Sequence, residues 1–169
     1  MKRSFKELII RLLDGHRIMT IATNRPDGWP QATVVGYMND GLVIYFFTER
    51  NGQKVQNLKH DRRVSIAIAK DTPRPLEIKG LSLAGTALVI DDDSEVDHAF
   101  ALQMKRFPEY RVLPKPNPKE IALVRATPEI VSVIDYEKGF GHSDLVRVTE
   151  SDLAEFVESR RHHWAGQSG

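Results

Sequence analysis

No cysteine occurs among the 169 residues of this chain. Disulfides, thiol catalysis and cysteine-ligated clusters are therefore excluded. A thiol-free composition suits a reducing cytoplasm. Strong charge is also missing. The formal net charge is +1, so nothing global points to nucleic acid. The small basic cluster of Lys59, His60, Arg62 and Arg63 reads as a solvated turn. No apolar run approaches the ~20 residues of a membrane span. The basic start, Met1-Lys2-Arg3, leads into an amphipathic helix pattern, not the continuous apolar core of a signal peptide. No Walker loop, no Gly-x-Gly-x-x-Gly and no His-Glu-x-x-His is present. His162-His163 lies in a polar tail, and no metal site is assigned to it.

What the chain does contain is a globular balance, 41% hydrophobic and 28% charged residues. Its length suits one domain over 1–169, with an N-terminal helix in 1–15 and a C-terminal helix and tail in 150–169. Ser4 and Glu7 form a capping-box pattern ahead of Phe5, Leu8, Ile9, Leu12 and Leu13, which share one helical face. Gly15 ends that helix. Strand patterns follow over 18–23, 31–37, 42–48 and 64–69. Pro26-Asp27-Gly28 and Asn39-Asp40-Gly41 are predicted turns, and a helix is predicted over 51–59. Residues 76–90 read as one long strand or two, with Gly80 and Gly85 marking bends. Ser94 is the predicted cap of a helix that turns Val96, Phe100 and Met104 inward. Two strands are expected over 120–126 and 130–135, and a short one near 145–148. Thr149 caps a last helix with Leu153, Phe156 and Val157 inward. Strands and helices do not alternate regularly. That pattern favours an antiparallel barrel with peripheral helices over a doubly wound fold.

Three segments carry candidate chemistry. In the first, the apolar run 43–48 opens into Asn51-Gly52-Gln53-Lys54 at the start of a helix. A helix N-terminus presents unpaired N–H groups, which suit a phosphate. Lysine is disfavoured there by the helix dipole, and a bound dianion would reverse that cost. An ordinary exposed lysine explains the pattern equally well. In the second, Gly36 after Thr33-Val34-Val35 permits close approach of a ligand, or marks a barrel corner. In the third, Lys138-Gly139-Phe140-Gly141-His142 combines a mobile backbone with polar groups, as a ligand loop or a plain hairpin.

Taken together, Thr20-Ile21-Ala22-Thr23, Asp27-Gly28-Trp29-Pro30-Gln31-Ala32-Thr33, Phe47-Thr48, Gln53-Lys54 and 57–66 resemble the pyridoxamine 5'-phosphate oxidase-like, FMN-binding split-barrel family. The resemblance spans about 17–148. It implies a mainly β fold, a six-stranded antiparallel split barrel of Greek-key type, and a homodimer with a flavin in each of two interfacial clefts. By position, Thr33, Val34 and Val35 would line the flavin ring edge. Phe47 and Thr48 would flank the ring and ribityl chain. Gln53 and Lys54 would hold the phosphate. Lys138, Gly139 and His142 would complete the pocket. His142 is the one candidate for a proton donor. The expected function is that of an FMN-binding oxidoreductase acting on a small molecule. True pyridoxamine-phosphate oxidation is not expected, because that enzyme has arginines where Thr33 and Gln53 stand and a C-terminal arginine-rich signature that this chain lacks. The alternatives are a deazaflavin-dependent reductase, a non-catalytic flavin-binding stress protein, and a haem-binding relative with His98 or His142 on the iron.

Overall fold

The computed structural model describes residues 1–154. Helix α1 (Arg3–Asp14) is followed by strands β1 (Ile18–Asn24), β2 (Pro30–Gly36), β3 (Met38–Asp40) and β4 (Val43–Glu49). Helix α2 (Gln53–His60) then precedes β5 (Arg63–Ala69) and β6 (Lys79–Ile90). Helix α3 (Asp93–Arg106), β7 (Ile121–Asp135), β8 (Ser143–Arg147) and α4 (Glu150–Ala154) complete the order. The fold is mainly β, as expected. The strands form a single sheet of eight, not six. The count rises because the chain breaks at Tyr37 to start β3 and because β8 adds to β7.

The sheet order is β2-β1-β5-β6-β7-β4-β3, with every pair antiparallel. Within it, β4 lies beside β7 at one side of the β5-β6-β7 meander, a Greek key. The two ends of the order, β2 and β3, are joined in the chain by Tyr37 alone. A flat sheet would hold those ends far apart, so the sheet must curl. Its concave side holds the core, including Met19, Ile21, Ile44, Phe46, Ile66, Leu83 and Val131. Ile9 and Leu13 of α1 close that core, and a second cluster packs α3 onto the outer side of β4 and β7.

Tyr37 is fully buried, and its hydroxyl donates to Leu13 O at 2.6 Å. The guanidinium of Arg106, also buried, sits 5.1 Å over the Tyr37 ring. It donates to the carbonyls of Leu13 at 3.1 Å and Asp14 at 3.4 Å, and to that of His16. A cation at a helix C-terminus satisfies carbonyls that have no partner within the helix. Arg106 therefore joins α3 to the end of α1.

Several local expectations are corrected. Helix α1 begins before Ser4, with Lys2 as its N-cap and no side-chain cap; Glu7 pairs instead with Arg3 at 2.9 Å. Asp92, not Ser94, caps α3, accepting from Glu95 N at 2.9 Å; the Ser94 hydroxyl donates to the same carboxylate. That helix buries Ala99, Leu102 and Arg106, while Val96, Phe100 and Met104 are only half-buried. Asn39 and Asp40 belong to a strand, and the turn moves on to Gly41 (φ 60°) and Leu42. Asn39 is fully buried and donates to Asp14 Oδ1 at 2.8 Å, a satisfied polar group rather than a turn residue. At the last helix, Thr149 N donates to Asp152 Oδ2 at 2.8 Å, so the capping contact runs back from the helix. Leu153 packs on the core. Phe156, Val157 and the paired histidines lie outside the described residues.

The segments 120–126 and 130–135 form one strand, β7, despite Pro128. The reason is on the facing strand. The β6–β7 register shifts between Ala84 and Gly85, and Gly85 lies against Pro128. A Cβ on Gly85 would come within 2.9 Å of Pro128 Cα and nearer still to the Thr127 carbonyl oxygen. Proline is tolerated at such a bulge because a ladder N–H is not needed there. Gly85→Ala should cost about 1–3 kcal/mol by overpacking. Urea unfolding at constant slope measures it, and an unchanged midpoint would refute this account of the bend.

Candidate functional site

Helix α2 starts at Gly52, an extended N-cap (φ −70°, ψ 161°) with no side-chain capping bond. Its first turn holds no acidic residue. The helix dipole favours an anion at this end, although the Glu49 carboxylate lies close to Gly52, with Oε2 3.4 Å from where a Cβ would stand. The connection into it is fixed by Arg50 N, which donates to Glu120 O at 2.7 Å, and by Gly52 N, which donates to Glu49 O at 3.2 Å. Gln53 and Lys54 both stand in this first turn.

Lys54 does not extend freely into solvent. Its Nζ donates to Thr33 Oγ1 on β2 at 2.6 Å. Partial burial lowers its pKa from the usual 10.5. Two expected site residues, far apart in sequence, are thus in direct contact. One turn on, Asn57 is fully buried. Its Nδ2 donates to Thr23 Oγ1 at 2.9 Å and to Gln31 Oε1 at 3.0 Å. Its Oδ1 accepts from Gln53 Nε2 at 2.8 Å. These bonds lay α2 along β1 and β2 and form a polar shelf of Gln31, Thr33, Gln53 and Lys54.

Sequence reasoning missed Gln31, Asn57 and Thr23 as parts of this shelf. The signals were present. Gln31 alternates with Thr33 and Val35 on one side of β2, and Asn57 follows Gln53 at helical i,i+4 spacing on the inward face of α2.

The remaining candidates are more scattered. Val35 shares the Thr33 side of β2, whereas Val34 points to the other side and is 65% exposed. Phe47 and Thr48 alternate, so their side chains face opposite sides of β4. Phe47 packs with the cluster under α3. Thr48 lies on the Phe46 side, two residues before the turn into α2. Lys138, Gly139 and His142 belong to the β7–β8 connection, four strands along the sheet from β2. There Lys138 Nζ pairs with Asp144 Oδ2 at 2.7 Å, and His142 Nε2 lies 3.3 Å from the same oxygen. Hydrogen bonds from Lys138, then His142, hold the Asp144 carboxyl below the usual range. Gly139 (φ 143°) and Gly141 (φ 77°) hold conformations that favour glycine. Within one copy, this loop does not meet Lys54. His98 Nε2 is 3.1 Å from Asp40 Oδ2.

The outer side of the sheet has its own pattern. A lateral row runs Val34, Thr20, Ala67, Ser82, Ser132, Leu145, with no charge in it. Its ends are exposed apolar side chains, Val34 and Leu145 at 73%. An open cleft of about 400 Å³ lies elsewhere, between the end of α1 and the β5–β6 connection, beside His16, Lys70 and Lys79. Among the described residues no His, Asp and Glu cluster suits a metal, and no helix is long and apolar enough to cross a membrane.

A curled antiparallel sheet with peripheral helices defines a split barrel. The chain belongs to the pyridoxamine 5'-phosphate oxidase family, whose model matches residues 5–134. Solved structures share the fold. A haem-binding protein from Mycobacterium smegmatis is 23% identical, with a TM-score of 0.71 over 87% of this chain. The match spans only 59% of that protein. General Stress Protein 26 from Bacillus anthracis is 20% identical, with a TM-score of 0.64 over 85% of this chain and 98% of its own. A protein described as a possible pyridoxamine 5'-phosphate oxidase from Listeria innocua is 18% identical, with a TM-score of 0.65 over 78% of this chain and 98% of its own. No curated protein sequence matches.

Asn57→Ala should destabilise the fold by about 1–3 kcal/mol, because buried partners lose their bonds. Thermal unfolding checks this. An unchanged midpoint would mean that α2 is held by its apolar contacts alone.

Proposed function

We propose that the protein binds FMN along the α2–β2 shelf and acts as an FMN-dependent oxidoreductase on a small molecule. The observation that carries this reading is Lys54, half-buried beside the uncapped start of α2 and bonded to Thr33. These residues fit a phosphate: a cation, a hydroxyl, an amide and open helix N–H groups converge, with no acidic side chain in the first turn. Family membership supplies the flavin. FMN, when bound, supplies the hydride and electron chemistry.

The chain's own residues hold and orient. Lys54 and Gln53 grip the phosphate, with Lys54 the sole side-chain cation of the first turn. Thr33 positions the ammonium group. Backbone groups of Val34 and Val35 lie along the expected ring edge. No residue is assigned as acid or base; within one copy His142 lies 3.3 Å from Asp144, far along the sheet from Lys54. Thr33 and Gln53 stand where the oxidase carries arginine, so pyridoxamine phosphate is not proposed as substrate. The haem alternative would rest on His98 or His142, which face Asp40 and Asp144, and a Soret band on adding haem separates it from FMN.

A second copy would cover the uncharged outer row that ends in Val34 and Leu145 and would bring its 138–142 loop to the first copy's shelf. An uncharged row of small side chains with exposed apolar ends can pack against a second copy without burying charge.

Purified protein should show the flavin absorbance bands or acquire them on adding FMN. Protein that stays colourless and does not bind added FMN would overturn the reading. Titration with FMN and a deazaflavin separates those two cofactors, and turnover of a reduced nicotinamide separates an enzyme from a carrier. Lys54→Ala should cost ~1.5–3 kcal/mol of FMN affinity. In the unaltered protein, affinity should fall as rising pH deprotonates Lys54, starting below pH 10.5 because burial lowers that group. Light scattering at micromolar concentration should give a dimer mass; a monomer would refute the paired arrangement.

A further inference from the structure

We propose that Gln31, on β2, donates from its side-chain amide to the same phosphate that Lys54 holds, and that buried Asn57 is the positioning residue that aims it. The proposal rests on the reading of the α2–β2 shelf as a phosphate site. It adds a binding residue that neither the fold nor the local sequence pattern singled out.

The geometry is directional. A primary amide has two N–H donors and one carbonyl acceptor. Asn57 uses all of them: Nδ2 donates to Thr23 and Gln31, and Oδ1 accepts from Gln53. In this arrangement Asn57 is fully buried and each polar group of its amide is bonded. The bond from Asn57 Nδ2 therefore fixes which end of Gln31 faces the protein. Oε1 is held inward at 3.0 Å, so Nε2 and its two hydrogens point away from Asn57. No described residue accepts from that Nε2, and Gln31 is only partly buried.

Position agrees with direction. Gln31 and Thr33 are two apart on one side of β2, and Lys54 and Asn57 are three apart on α2. Lys54 meets Thr33 while Asn57 meets Gln31, so the helix and the strand run alongside each other. Gln31 and Thr33, the contact of Lys54, are two residues apart, ~7 Å along the strand. A phosphate whose oxygens each accept from a donor about 2.8 Å away can span such a gap. With one first-turn cation on the shelf, an outward-facing neutral donor is the group that completes the recognition of a dianion.

Two ligands with the same ring test this: FMN, and riboflavin, which lacks the phosphate. Gln31→Ala should weaken FMN about tenfold and leave riboflavin unchanged. Gln31→Glu should weaken FMN further, because a carboxylate would face the phosphate. Asn57→Asp keeps an acceptor for Gln53 but has no N–H for Gln31; it should show the same FMN-specific loss. Damage to the fold would instead lower both affinities together. Equal FMN affinity in Gln31→Ala, or equal loss for both ligands, overturns the proposal.

A second measurement does not depend on flavin. The side-chain NH₂ resonance of Gln31 should shift when inorganic phosphate is added to the unaltered protein. If phosphate shifts Gln31 but FMN does not bind, the flavin reading fails and the Gln31 donor stands. If FMN binds while Gln31 neither shifts nor matters, the Gln31 proposal alone fails. If neither ligand binds, both fail.

Discussion

Tyr37 joins the two ends of the sheet, and its hydroxyl is anchored on the Leu13 carbonyl at 2.6 Å. Strands β2 and β3 stand at opposite ends of the hydrogen-bonded order yet are one residue apart in the chain. Every strand between them must share the bend that brings those ends together. The pairing of the two longest strands is interrupted by a bulge where Gly85 faces Pro128. Arg106 holds the joint from the other side, stacking over the ring and capping α1. Burying that guanidinium is costly, and desolvation lowers its pKa. Carbonyls at the end of α1 offset the cost, so one residue secures a helix end, an aromatic joint and the root of α3.

The site is a by-product of the same curl. On the terminal strand β2, the Gln31–Thr33–Val35 side is the less exposed one, and Gln31 and Thr33 on it meet α2. Helix α2 is fastened there by polar contacts, not only by Val55 and Leu58. Such contacts are directional where apolar burial is not. A helix held this way presents its first turn at a fixed angle to β2, which is what a small anion requires.

Much of this was legible in the chain. Alternation in Val64, Ile66 and Ile68 predicts β5, and Asn51-Gly52-Gln53-Lys54 marks the start of α2. The resemblance named Thr33 and Lys54 separately, 21 residues apart, and the fold puts them in contact. Other features resisted because their partners are remote. Pro128 reads as a breaker until Gly85 is placed opposite it. Asn39 reads as a turn residue until Asp14 reaches it from α1. Asn57 is one polar residue on a short helix until Thr23, Gln31 and Gln53 surround it. Ser94 lost the cap to Asp92, two residues earlier, whose carboxylate is the stronger acceptor.

Strand β7 serves two partners on one edge, β4 along its first half and β8 along its second, while β6 runs along the other. During synthesis, β4 leaves the ribosome long before the strand that will pair with it. Its apolar run Val43-Ile44-Tyr45-Phe46-Phe47 must wait through α2, β5, β6 and α3. Only the brief hairpin with β3 shields it meanwhile. Non-local pairing of this kind slows folding and leaves a sticky strand unpaired in the nascent chain. The step most exposed to chaperones and to aggregation is thus the arrival of β7, which seals the barrel and ends the vulnerability of β4.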